Sequence, residues 1–102
     1  MATINQTFKS GQEYVFSISQ IPEISTDTAV INFVGDTSGN LTARKISDTV
    51  FGLTYNLTSN TFTSNIQLVI NGISGYDTGL TVNLTVNGTL VKEPVRIYNP
   101  SN

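Results

Sequence analysis

Along most of the chain apolar and polar residues alternate with a period of two, the spacing that sends successive side chains to opposite faces of a strand. The clearest run is Leu80, Val82, Leu84 and Val86 against Thr81, Asn83, Thr85 and Asn87, one face aliphatic and the other entirely Thr and Asn. Such a strand has one side in a core and the other in water. Tyr14, Phe16 and Ile18 alternate with Val15, Ser17 and Ser19. Leu53, Tyr55 and Leu57 alternate with Thr54, Asn56 and Thr58, and Ile66, Leu68 and Ile70 share a face. Residues 29–34 are nearly continuous in apolar character, which predicts a strand covered on both faces. No segment carries a convincing helical period.

Turn residues punctuate these runs. Asn87-Gly88 predicts a type I′ turn, because both residues tolerate the positive φ it requires, and joins residues 80–86 to residues 89–98 as a hairpin. Ser59-Asn60 links residues 53–58 to 61–70, and residues 36–40 close 29–35 onto 41–47. Asn71-Gly72 ends a strand. Residues 72–79, with three glycines, form a loop, and residues 21–27, with Pro22, form another. Seven or eight short strands with turns at this spacing predict one all-β domain over residues 1–102, either an antiparallel β-sandwich of immunoglobulin-like type or a small barrel. Residues 1–7 and 99–102 read as short arms. Pro94 has no N–H to give to a ladder, which places the last strand at a sheet edge and makes Val91, Pro94 and Val95 candidates for pairing with another subunit.

Composition narrows the chemistry. The chain has no Cys and no His, so disulfides, thiolates, Ser-His-Asp triads, imidazole acid–base work and ordinary zinc sites are excluded. Seven carboxylates remain, scattered singly and mostly near turns, and a domain this small has little room for a cleft between two of them. The expectation is a protein that is not an enzyme and holds no cofactor. Asp36, Ser38 and Asn40 have the alternating oxygen spacing of a calcium loop. With one carboxylate among them, however, a turn in which Asp36 and Asn40 bond nearby backbone N–H groups is favoured. There is no Trp. Phe16, Phe33 and Tyr55 fit core positions, whereas Tyr76, beside Asp77 in the 72–79 loop, is the best candidate for an exposed contact.

The net charge is −2 and only 12% of residues are charged, against about 25% in an average globular protein. Ser, Thr and Asn supply the polar surface. Five scattered basic residues make no nucleic-acid footprint. A low-charge surface reads either as a neutral solvated one or, since interfaces are depleted in Lys, Glu and Asp, as one that is mostly contacted by other proteins. The first residues, Met1-Ala2-Thr3-Ile4-Asn5-Gln6, lack the basic and apolar segments of a signal peptide, and no apolar stretch reaches the ~20 residues of a membrane span. Five Asn-X-Ser/Thr triplets, at Asn5, Asn40, Asn56, Asn83 and Asn87, read as composition in an Asn/Thr-rich β protein.

The Met1-Ala2-Thr3 start, the missing Cys, His and Trp, and the Ser/Thr/Asn-rich strands of a single β domain resemble the small accessory proteins of tailed-phage particles, such as head decoration (cement) proteins. The resemblance is one of type over most of the chain and transfers no site residue. It implies a structural role on the virion, assembled in the host cytoplasm, without catalysis. The implied partners are the major capsid protein or other virion subunits, with homo-oligomers, often trimers, and with neither nucleic acid nor membrane. A tail or baseplate subunit is the variant of this reading. A glycan- or cell-surface-binding module using Tyr76, and a domain cut from a longer adhesin, are the other readings the residues allow.

Overall fold

The computed structural model describes residues 2–21 and 28–91. Seven strands run in chain order: β1 Ala2–Lys9, β2 Glu13–Ser17, β3 Val30–Asp36, β4 Leu41–Lys45, β5 Val50–Tyr55, β6 Thr61–Asn71 and β7 Leu80–Val91. They form two packed sheets, one of four strands in the order β1-β7-β6-β3 and one of three in the order β2-β5-β4. The architecture is an open sandwich, and the barrel alternative falls away. Every ladder is antiparallel except β1 on β7, which is parallel, so the expected all-antiparallel arrangement is corrected at one pair.

The alternation read from the sequence builds the core. Val82, Leu84 and Val86 of β7, Ile66, Leu68 and Ile70 of β6, and Phe51, Leu53 and Tyr55 of β5 are all buried between the sheets. Each such side chain contributes about 1.5–3 kcal/mol on leaving water. Phe8, Tyr14, Tyr55 and Phe62 close one end of this core as an aromatic cluster. Phe62 stacks on Tyr55 at 4.1 Å and Phe8 meets Tyr14 edge-on at 5.1 Å. Two further hydrogen bonds fix the cluster's rim: the Tyr55 hydroxyl donates to the Ser59 carbonyl at 2.9 Å, and Tyr14 Oη accepts the Lys9 N–H at 3.0 Å.

Several expectations change in physical detail. Asn87-Gly88 is not a turn. Both residues lie inside the twelve-residue β7, and Gly88 pairs with Gln6 on one side and Phe62 on the other. Residues 89–91 therefore continue β7 instead of starting a new strand. Residues 2–7, expected as an arm, form most of β1 and pair in unbroken register along β7. Among the described residues β7 is consequently an interior strand as far as Val91, and the outer strands of its sheet are β1 and β3. Pro94, Val95 and the 99–102 arm lie outside the described residues. Residues 36–40 and 56–60 join strands of opposite sheets, so neither connection is a ladder hairpin. Phe33, expected in the core, is half exposed, because a bulge between Ile31 and Phe33 returns Ile31 and Val34 to the inner side and leaves Phe33 outward. After Ser17 the chain makes one 3-10 turn, Ile18–Gln20. Ser17 Oγ accepts the Ser19 N–H at 3.2 Å and Gln20 Oε1 accepts the Ser17 N–H at 2.9 Å, a closed capping box.

Candidate docking face of the four-stranded sheet

The two sheets present different surfaces. On the three-stranded sheet, Glu13 of β2 reaches across β5 to Arg44 of β4, with Arg44 Nε 2.6 Å from Oε2 and Nη2 2.7 Å from Oε1. The bidentate pair spans from one edge strand to the other because residue 52 between them is Gly, and a Cβ there would collide with the Glu13 carboxylate. The Arg44 hydrogen bonds hold the Glu13 carboxyl below the ordinary glutamate range, assisted by the guanidinium charge and opposed by partial desolvation. Lys45 and Asp48 make a second ion pair at 3.3 Å beside it.

The four-stranded sheet is unlike this. Its inner side supplies half the core. Its outer side is organised in cross-strand rows: Thr3, Thr85 and Asn65; Asn5, Asn87 and Thr63; Thr7, Thr89 and Thr61. Further along, Asn83 faces Gln67 and Gly35, and Thr81 faces Val69 and Phe33. The one charged side chain at an outward position of these strands is Lys9, at the rim opposite Val91. The middle row is linked by hydrogen bonds: Thr63 Oγ1 to Asn87 Oδ1 at 3.2 Å, and Asn87 Nδ2 to Asn5 Oδ1 at 3.2 Å. Between this row and the Thr7–Thr89–Thr61 row lies a shallow groove of about 400 Å³ whose floor is the backbone of Gly88. At the other end of the face Phe33 lies over Gly35, where a Cβ would come within 2.7 Å of its ring.

Such a surface offers amide and hydroxyl donors and acceptors and a little apolar area. Among the described residues no Asp, Glu or His occupies an outward position on these strands. Asp36, the carboxylate nearest to it, is committed to its own turn: its oxygens accept the N–H groups of Ser38 at 2.7 Å, Asn40 at 2.9 Å and Leu41 at 2.6 Å. The local-turn reading of Asp36 thus holds. Asn40 acts differently from expectation, since its side-chain amide donates to the Thr63 carbonyl at 3.0 Å.

The residues singled out from sequence are not gathered at one place. Tyr76 and Asp77 are both exposed in the loop between β6 and β7, where the Tyr76 N–H donates to the Ile73 carbonyl at 3.1 Å. Val91 is exposed at the far end of β7, roughly 36 Å from the strand's start at about 3.3 Å per residue. The Asn5–Asn87–Thr63 row went unrecognised. Its signal was the Asn-X-Thr triplet itself, because a spacing of two puts both polar residues on one side of a strand. Asn5 with Thr7, Asn83 with Thr85, and Asn87 with Thr89 all fall on this face. In comparisons with known proteins, no family model matches the chain, and no curated protein or solved structure is similar to it.

Proposed function

We propose that this chain is a non-enzymatic structural subunit that works by being docked into a larger assembly, and that the assembly is a phage-type virion, with the chain as a decoration protein on the shell. The observation that carries the reading is the near-absence of charge among the described residues on the outer side of the four-stranded sheet, while the Glu13–Arg44 and Lys45–Asp48 pairs belong to the other sheet. A solvated face gains from charge. A face that is desolvated on docking is better built from hydroxyls and amides, which cost less to bury and find partners readily. The order of the described strands also supports an immunoglobulin-like sandwich: β1 lies beside β7, and β2, β4 and β5 form the smaller sheet. Partners on this reading are the major shell protein or other virion subunits, with a tail or baseplate position as the alternative.

The test is quantitative mass spectrometry of banded particles from a culture producing the protein. Copy numbers approaching the major shell protein support decoration, and a few copies per particle place the chain in the tail or baseplate. Absence from the particles refutes the virion reading. The groove over Gly88 favours a second reading, a module holding a neutral glycan, since its amides and hydroxyls suit an uncharged polyhydroxylated ligand. Amide chemical-shift changes confined to Asn5, Asn87 and their neighbours on titration with neutral oligosaccharides would favour it, and unchanged spectra would exclude it.

A further inference from the structure

Among the described residues the sandwich has four edge strands: β1 and β3 on one sheet, β2 and β4 on the other. An edge strand offers a row of backbone N–H and C=O groups to any strand that approaches, and proteins blunt such edges with charges, bulges or proline. Three of the four are blunted. β2 carries Glu13 and β4 carries Arg44 and Lys45. β3 is broken by its bulge and ends at Asp36. β1 is the least protected, since its one charge, Lys9, is its last residue. Its eight residues pair with β7 without irregularity, and from Ala2 to Phe8 it contains no charged residue, no Pro and no Gly.

We propose that β1 is a self-recognition edge: two copies of this chain pair antiparallel through β1 about a two-fold axis at Asn5, merging their four-stranded sheets into one. The choice of a second copy rests on self-complementarity. A two-fold axis perpendicular to the sheet keeps outer faces together, and directly opposed residues in a ladder must point to the same side. The axis therefore passes through a residue and not between two. At Asn5 it sets Asn5 against its own symmetry mate and Thr3 against Thr7 on the outer side, with Ile4 against Gln6 on the inner. Thr–Thr is among the cross-strand pairs that stabilise a ladder. Each Lys9 then lies beyond the end of the paired segment, and the two are separated by roughly 26 Å at about 3.3 Å per residue, well past the ~8–10 Å screening length.

A second observation points the same way. The outer-face hydrogen bonds form a directional chain, from the Thr63 hydroxyl to the Asn87 carbonyl oxygen and from the Asn87 amide to Asn5 Oδ1. With Oδ1 accepting from Asn87, the NH₂ group is the part of the Asn5 amide that remains as donor, on the outer strand of the sheet. Across the axis, each Asn5 Nδ2 meets the Oδ1 of its mate, and the two polar rows become one row of six residues. The inference stands apart from the virion reading, since it concerns how copies meet each other and not what they coat.

Sedimentation equilibrium of the full chain tests it. An edge-to-edge contact is small, so dissociation constants on the order of 100 µM are expected, with monomer at low and dimer at high concentration. Asn5→Lys and Asn5→Glu each set like charges face to face, and each variant should stay monomeric at the highest concentration. An equimolar mixture of the two should recover a dimer, which a merely misfolded variant would not do. Hydrogen exchange on the wild type should show slowed amides in β1 as concentration rises. A wild type that is monomeric near 1 mM, a dimer indifferent to either charge, or a mixture that fails to associate overturns the proposal.

Discussion

The ring of Phe62 occupies the space that a side chain on its ladder partner Gly88 would need. The ring is held there by its stack on Tyr55, with planes 12° apart, and by Phe8 with its centroid 5.6 Å away. A glycine inside a strand costs backbone entropy, and here that cost is offset by the aromatic ring lying flat on the sheet. Gly88→Ala should therefore destabilise the protein by about 1–3 kcal/mol, the range for overpacking a well-filled core. Urea denaturation checks this. In the background of Phe62→Leu the same substitution should cost distinctly less, since residues in contact are not additive. Equal costs in both backgrounds would place the clash elsewhere.

Glu13 gives an acid-limb prediction whose sign follows from its shift. Its folded-state pKa is lowered by the Arg44 hydrogen bonds below the ordinary 4.5, so the ionised pair favours the folded state above that value. The contribution fades as pH falls through the folded-state pKa and is gone below it. Wild type and Glu13→Gln should thus differ in urea midpoint at neutral pH and converge in strong acid. Because the pair is solvent-accessible, the neutral-pH difference should also shrink with added salt. A difference that grows toward acid would contradict the assignment.

Ser64 is fully buried on the inner side of β6, opposite Val86, and its hydroxyl oxygen has no hydrogen-bond partner among the described residues. A buried unsatisfied hydroxyl carries a desolvation cost of about 1–3 kcal/mol. Ser64→Ala removes that cost and leaves only an oxygen-sized gap, so a gain of about 1 kcal/mol is expected in the same denaturation assay. A loss of comparable size would mean that the hydroxyl is satisfied in solution, for example by a trapped water.

What could be read from the chain was what depends on neighbours in sequence. The β7 alternation, the strand end at Asn71-Gly72 and the Asp36 turn all rest on local geometry, and each stands in the structure. What could not be read depends on a distant partner. Asn-Gly carries a strong turn preference, yet Phe62 from another strand holds Gly88 in extended backbone. In β1 the inward positions Ala2, Ile4, Gln6 and Phe8 do alternate, but the weak members Ala2 and Gln6 hid the pattern, and the strand's reason for existing is β7 at the other end of the sequence. The Glu13–Arg44 pair crosses an intervening strand and leaves no local trace beyond Gly52. The low-charge face was legible as composition, but its placement on the four-stranded sheet required the strand order.

The parallel seating of β1 on β7 also sets a timetable. Ala2 has no ladder partner until Leu84 has been made, and Lys9 waits for Val91. During synthesis the smaller sheet β2-β5-β4 and the β3–β6 ladder have all their residues earlier than that, while β1, uncharged from Ala2 to Phe8, still lacks its β7 partner. Contacts of such long sequence separation form slowly, and an exposed strand is most open to wrong partners while it waits. On this account β1 stays uncovered until β7 has been made, and in that interval one nascent copy can capture another.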